Sequence, residues 1–289
     1  MISVFTPTYN RAYCIHKLYK SLCMQTCNDF EWIVIDDGSI DNTVEILKSF
    51  IEEKKIPITF LSQQNAGKHV AINRGVNIAK GELFFIVDSD DILPKDSIEN
   101  ALSIYESVIN DPQICGICGL KGFINGGIIG GEKTFNTLDC SSIDFRHKFK
   151  IKGDMAEIVK TQILKQFPFP EYEEEKFCPE ALIWFRIGLE YKFRYFSKII
   201  YLCEYLSDGL TSNIVKVRKN SPKASMLYYS EFTHLPIPYI YKIKGAINYW
   251  RFASKNRIGE LSILLLLIGY VPGKFLRYID TYKLSKKIN

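Results

Sequence analysis

The chain has 289 residues, 47% hydrophobic, 24% charged and 13% aromatic, a globular composition too apolar for disorder and too charged for a polytopic membrane protein. Its net charge of +5 is uneven: from residue 237 on, ten Lys or Arg stand against Glu260 and Asp280, a net of +8 that leaves −3 for residues 1–236. The longest near-unbroken apolar run, 261–271, is far short of the roughly 20 residues that span a bilayer.

The N-terminus opens on the apolar stretch 2–5, with no basic n-region and no cleavage site, so no signal peptide and no export are expected. Through residue 110 two hydrophobic periods alternate. Strands are predicted at 2–6, 31–35, 58–61 and 83–87, and helices at 12–24, 42–54, 67–79 and 95–109. The strands are continuous apolar runs such as WIVI and LFFIV, the pattern of a mostly parallel α/β sheet covered on both faces.

The glycine-rich stretch 114–135 predicts strands joined by tight turns. It contains the one CxxC, Cys115 and Cys118, without further ligands at zinc spacing, so all eight cysteines are read as buried, reduced thiols. A helix is predicted over 154–166, ended before the Pro168, Pro170 pair because proline cannot continue one. Another helix follows at 178–189 and a strand at 195–202. After Ser221-Pro222 the chain turns basic and helical. The expected units are an α/β half (1–110), a second half (111–220) and a basic helical C-terminal region (221–289).

Three predicted strands end in polar segments: TPTYNR (6–11), IDDGSIDNT (35–43) and VDSDD (87–91). If these strands are neighbours, Asp36, Asp37, Asp88, Asp90 and Asp91 converge at their carboxyl ends, where open α/β sheets bind ligands. Carboxylates packed into one cleft cost stability unless a cation balances them. Hard oxygen donors at that density point to Mg²⁺ or Mn²⁺ shared with substrate phosphates. Helix capping explains Asp41 and Asp91 as well, but not a D-x-D directly after five apolar residues.

Together with NAGKHVAINRG (65–75) and AKGELFFIVDSDD (79–91), these segments resemble the family 2 glycosyltransferases of the GT-A fold, over about residues 1–210. The resemblance implies that Thr6, Pro7 and Tyr9 line a base pocket, that Asp37 accepts a hydrogen bond from the base, and that Asp36 supports its loop. It places Arg11, Asn65, Lys68, Asn73 and Ser89 around the donor as well. Asp88 would bind the ribose and Asp90 the metal–diphosphate. The family's Ala-Arg-Asn is Ala71-Ile72-Asn73 here, which leaves Lys68 as the candidate replacement for the diphosphate charge. Family members place a catalytic Asp six residues before an Arg; Glu180 stands six before Arg186 and follows Pro179, which suits a first helical turn. A helix-start glutamate favoured by the dipole is the plain alternative, and the acidic run 171–175 is a competing source of the base.

Asp154 reads as an N-cap or an acceptor contact, and His16, His69 and His147 as residues without a metal role. Asp208-Gly209-Leu210-Thr211-Ser212 reads as a loop able to close over the donor. The expected activity is transfer of a sugar from a nucleotide-diphosphate donor, a UDP-sugar by preference, to a saccharide hydroxyl with inversion. The resemblance suggests a lipid-linked acceptor in bacterial surface polysaccharide assembly (capsule, O-antigen or exopolysaccharide). It implies no nucleic acid partner and a cytoplasmic enzyme peripheral to the inner membrane. A nucleotidyltransferase with a similar acidic metal site and a non-catalytic nucleotide-sugar binding protein are the alternatives. The C-terminal region is read as a membrane-surface element, against packing of 264–268 on the catalytic domain or in an oligomer.

Overall fold

Four apolar runs in the first ninety residues pair as parallel strands, β1 (Ile2–Thr8), β2 (Phe30–Asp36), β3 (Ile58–Ser62) and β4 (Leu83–Ile86), in the order β3-β2-β1-β4. The computed structural model describes residues 1–133, 135–203, 213–254 and 257–286. Helices α1 (Ile15–Cys23), α2 (Thr43–Glu53) and α3 (Lys68–Ile78) connect these strands, and α4 (Ser97–Glu106) follows them. All seven residues of β2 are buried, as a strand covered on both faces requires.

The sheet continues through β5 (Ile114–Phe123), β6 (Thr137–Cys140), β7 (Met155–Lys160) and β8 (Lys192–Cys203) to eight strands, β3-β2-β1-β4-β7-β5-β8-β6. One apolar layer places Leu18, Leu47 and Ile98 of α1, α2 and α4 against Trp32, Phe85 and Tyr201. The opposite layer brings Ile72 of α3 and Leu182 of α7 (Ala181–Glu190) to Phe5, Ile33 and Phe84. Burying each such Leu, Ile or Phe contributes about 1.5–3 kcal/mol.

Two expectations fail in the second half. Residues 154–166 are not one helix: β7 fills 155–160, and only the short α6 (Thr161–Leu164) is helical. Met155, Ala156 and Glu157 favour a helix locally. The segment nevertheless inserts between β4 and β5, antiparallel to both, and that pairing overrides propensity. Asp154 therefore precedes a strand and caps no helix. Edge strand β6 and helix α5 (Ser142–His147) were not foreseen at all.

The C-terminal region is helical, as expected: α8 (Ile214–Asn220), α9 (Pro222–His234), α10 (Tyr239–Phe252) and α11 (Ile263–Lys286). Among the described residues no helix is long and apolar enough to cross a membrane. All eight cysteines are free thiols, and Cys115 and Cys118 are buried in β5.

Candidate functional site

Register fixes the site. β1 and β2 pair with Thr8 opposite Asp36, and β1 and β4 with Phe5 opposite Ile86, so the three polar strand ends lie side by side. The first two are laced together. The Asp36 carboxylate accepts from the Ser39 amide at 3.0 Å and from its hydroxyl. Ser39 Oγ in turn accepts from the Asn10 amide at 2.8 Å, and Asn10 Oδ1 from the Ile40 amide at 2.9 Å. The Arg11 amide donates to Thr43 Oγ1 at 2.8 Å, which anchors the 8–11 turn to the start of α2.

Asp37 is buried and clamps the next loop. Its Oδ1 accepts from Gln63 Nε2 at 2.6 Å and the Ala66 amide at 2.8 Å, and its Oδ2 from the Gly67 amide at 2.8 Å. Both oxygens thus already receive donors from 63–67, beside half-buried Asn65. Gly67 has φ +99°, and a Cβ there would lie 2.2 Å from the Lys176 carbonyl oxygen, so only glycine lets the 171–177 segment approach this loop.

Thr6 is not at a pocket wall: it is fully buried, and its hydroxyl accepts from the Trp32 indole at 2.9 Å. Pro7 is half-buried and Tyr9 exposed. The more informative residue is Thr8. It is buried, and its Oγ1 has no partner among the protein atoms, as is true of Gln63 Oε1 and His69 Nδ1. Buried polar atoms are nearly always satisfied, so these are ready to meet a ligand or water. Thr8 shares a strand face with Thr6, two residues nearer the carboxyl end, a period-2 signal that could have singled it out.

Lys68, the first residue of α3, joins the two halves. Its ammonium lies 2.5 Å from Asp88 Oδ1 and 2.6 Å from Glu180 Oε1. Burial alone would pull this amine down, but Asp88 and Glu180 outweigh it and hold the charge above the ordinary lysine range. Burial likewise pushes the Asp88 carboxyl up, and Lys68 and Lys121 reverse the shift. Glu180 occupies the N-cap position of α7 without capping it, so its side chain serves Lys68 instead of the helix start. Six residues on, Arg186 pairs in bidentate fashion with Glu231 of α9, at 2.9 and 2.6 Å.

The loop 88–91 is set from behind by β8. The buried Tyr201 hydroxyl accepts from the Asp88 amide at 2.9 Å and donates to Asp91 Oδ2 at 2.6 Å, while Lys121 stands 4.0 Å over its ring. Ile92 and Leu202 exchange backbone hydrogen bonds at 3.0 and 2.9 Å. Ser89 is buried, with its carbonyl 3.7 Å from Cys14 Sγ. Burial and the neighbouring Asp88 push the Asp90 carboxyl up, and push Asp91 to about 6. On β7, burial raises Glu157 to about 7 against the pull of Lys121 and Arg146. Tyr201, Lys121 and Glu157 were not named from the sequence; they reach the site from strands whose order it does not reveal.

Other expected residues do structural work. Asn73 spends its amide on the 169–171 segment: Nδ2 donates to the Phe169 carbonyl at 2.9 Å and Glu171 Oε1 at 2.8 Å, and Oδ1 accepts from the Phe169 amide at 2.9 Å. In the competing acidic run, buried Glu175 caps α9 by accepting from the Lys223 and Ala224 amides at 2.7 and 2.9 Å. The loop 208–212 lies outside the described residues.

Among the described residues no three acidic, His or Cys side chains form a ready-made metal cage. The 88–91 loop still fits a hard divalent cation. It offers the Asp90 and Asp91 carboxylates, whose affinity for protons burial and the Asp88 charge raise, and Mg²⁺ commonly takes one or two carboxylates and completes its shell with water and substrate phosphates.

Residues 3–114 match the family profile "Glycosyl transferase family 2". The chain is 27% identical over 180 residues to an uncharacterized glycosyltransferase of Haemophilus influenzae, which covers 62% of this chain and 69% of that protein. Stretches matched in seven further curated glycosyltransferases span only 15–35% of their lengths. Among solved structures, Staphylococcus aureus TarS 1–349 in complex with UDP-GlcNAc aligns with TM-score 0.62 at 18% identity, covering 98% of this chain and 92% of that one. The mannosyltransferase PcManGT of Pyrobaculum calidifontis, in complex with GDP-Man and Mn²⁺, aligns with TM-score 0.55 at 18% identity, covering 99% and 86%. The fold is therefore of the GT-A kind.

Proposed function

From the premise that this chain, through residues 3–114, belongs to the family 2 glycosyltransferases, we propose that it transfers a sugar from a UDP-sugar to a saccharide hydroxyl with inversion. The observation that carries this reading is the Asp88–Lys68–Glu180 bridge, which sets a donor-side carboxylate and a candidate base on either side of one cation.

In this reading Tyr9, Arg11 and the unpartnered Thr8 and Gln63 oxygens flank the nucleotide, with Asp36 and Asp37 holding the loops that shape its pocket. Lys68 contributes charge to the diphosphate in place of the arginine absent from 71–73. As the donor draws on that ammonium, Glu180 is released to take the proton of the attacking acceptor hydroxyl. The hydroxyl oxygen then bonds to the anomeric carbon as the bond to the leaving diphosphate breaks, which inverts that centre. Asp90, with Asp88, would hold Mg²⁺ or Mn²⁺, whose role is to neutralise the leaving diphosphate as a Lewis acid. A lipid-linked oligosaccharide of bacterial surface polysaccharide assembly is the acceptor this reading favours.

Thermal unfolding with a panel of UDP-, GDP- and dTDP-sugars, with and without Mn²⁺, tests the donor claim. A UDP-sugar should raise Tm most, with an increment that depends on Mn²⁺ and is lost in Asp90→Ala. Equal shifts in wild type and Asp90→Ala would place the metal elsewhere.

A further inference from the structure

Helix α11 packs on α10, with Leu266 against the cluster of Met226, Tyr249 and Trp250 and Tyr270 edge-on to Trp250 at 4.9 Å. Its buried positions include Leu265, Gly269, Gly273 and Asp280. A Cβ on Gly269 would lie 2.6 Å from the Ala246 carbonyl group, and one on Gly273 would lie 2.5 Å from the Ile247 carbonyl oxygen, so the helices meet backbone to backbone. Asp280 is held there by Arg251, at 2.7 and 2.9 Å.

The opposite face is apolar and in water. Leu264, Leu267, Val271, Phe275, Tyr278 and Tyr282 are each 54–72% exposed. At 3.6 residues per turn these six fall within an arc of about 80°, in a strip about 27 Å long. Such a contiguous apolar surface marks an interaction site. The same helical geometry puts Lys274 along one flank and Lys286, with Lys283 further round, along the other, while Arg277 donates to the Ala253 carbonyl at the end of α10. The one acidic residue of α11, Asp280, is turned to the far side and neutralised.

We propose that α11 lies in the headgroup plane of an anionic membrane, with the Leu264–Tyr282 strip towards the acyl chains and the flanking cations among the phosphates. An apolar strip between two cationic edges is complementary to that surface. A second copy of the chain is disfavoured, because a two-fold contact through this strip would bring its own lysines together. The surface is remote in sequence from the donor-binding residues, and its test does not depend on turnover.

Full-length protein is sedimented with vesicles of phosphatidylglycerol and phosphatidylcholine, or of phosphatidylcholine alone. Wild type should bind the anionic vesicles and not the neutral ones, with affinity falling as salt rises. Leu267→Gln combined with Phe275→Gln should weaken binding more than tenfold without altering thermal unfolding. Lys283→Gln combined with Lys286→Gln should weaken it by up to about fivefold per lysine. Absence of anionic-vesicle binding at low salt, or equal binding by wild type and the Leu267/Phe275 variant, overturns the proposal. A concentration-dependent dimer broken by the same variant, with no vesicle binding, overturns it in favour of a second copy.

Discussion

At Lys68 one ammonium answers two carboxylates, and side chains of 24% and 37% exposure make the Lys68–Asp88 contact only partly wet. Lys68→Gln leaves Asp88 and Glu180 facing each other, an expected cost of about 1–2 kcal/mol in denaturant unfolding, low in the range for lost buried partners because Asp88 keeps solvent contact. The same variant should raise donor KM more than tenfold, and Lys68→Arg should recover part of both losses. An unchanged KM would remove Lys68 from the donor site. As the proposed base, Glu180 would act on the transition state, so Glu180→Gln should cut kcat by about 10²–10⁴-fold with donor affinity nearly constant; weakened donor binding at normal kcat would make it a donor-side residue. Glu157 gives a pH signature. Its folded-state value of about 7 is above the ordinary glutamate range, so the folded chain holds more protons there, and stability from this group falls as pH rises towards 7 and beyond. Relative to wild type, Glu157→Gln should gain Tm between pH 5 and pH 8; a flat difference would mean that Glu157 is not held up by burial beside Lys121 and Arg146.

At the scale of elements, the first four strands were legible because each is a short apolar run, and three of them end in a polar motif. Position of Asp36, Asp37, Asp88 and Asp90 at strand ends followed from that local pattern. What they touch did not. Tyr201 reaches the 88–91 loop from 110 or more residues away, and Glu157 comes under the influence of Lys121 because β7 is a strand, paired with β5, where helix-favouring residues suggested otherwise. Thr6 and Asn73 matched motif positions, yet the neighbours that occupy their side chains, Trp32 and the 169–171 segment, leave no trace in local spacing. In the C-terminal region the helices and their charge were legible, while the direction of the apolar face was not: of 264–268, Leu264, Leu267 and Ile268 are exposed and Leu265 is buried. Two glycines decide it. Gly269→Val should lower Tm by forcing α11 off α10, since its Cβ has no room beside Ala246; an unchanged Tm would mean the close approach is absent.

For the whole molecule, the eight-stranded sheet carries the proposed donor loops on β1, β2 and β4, while the second half returns Glu180, Tyr201 and Lys121 to the same edge. That arrangement supports chemistry between two substrates, one met by each half. The alternatives keep part of it: a nucleotidyltransferase would attack a phosphate, and a binding protein would need no base. The most direct measurement is identification of the phosphate product when the protein is incubated with UDP-sugars, Mn²⁺ and a saccharide acceptor pool. The account predicts UDP together with a glycosylated acceptor, both lost in Glu180→Gln. Pyrophosphate as the product, or UDP release and acceptor glycosylation undiminished in Glu180→Gln, would contradict it.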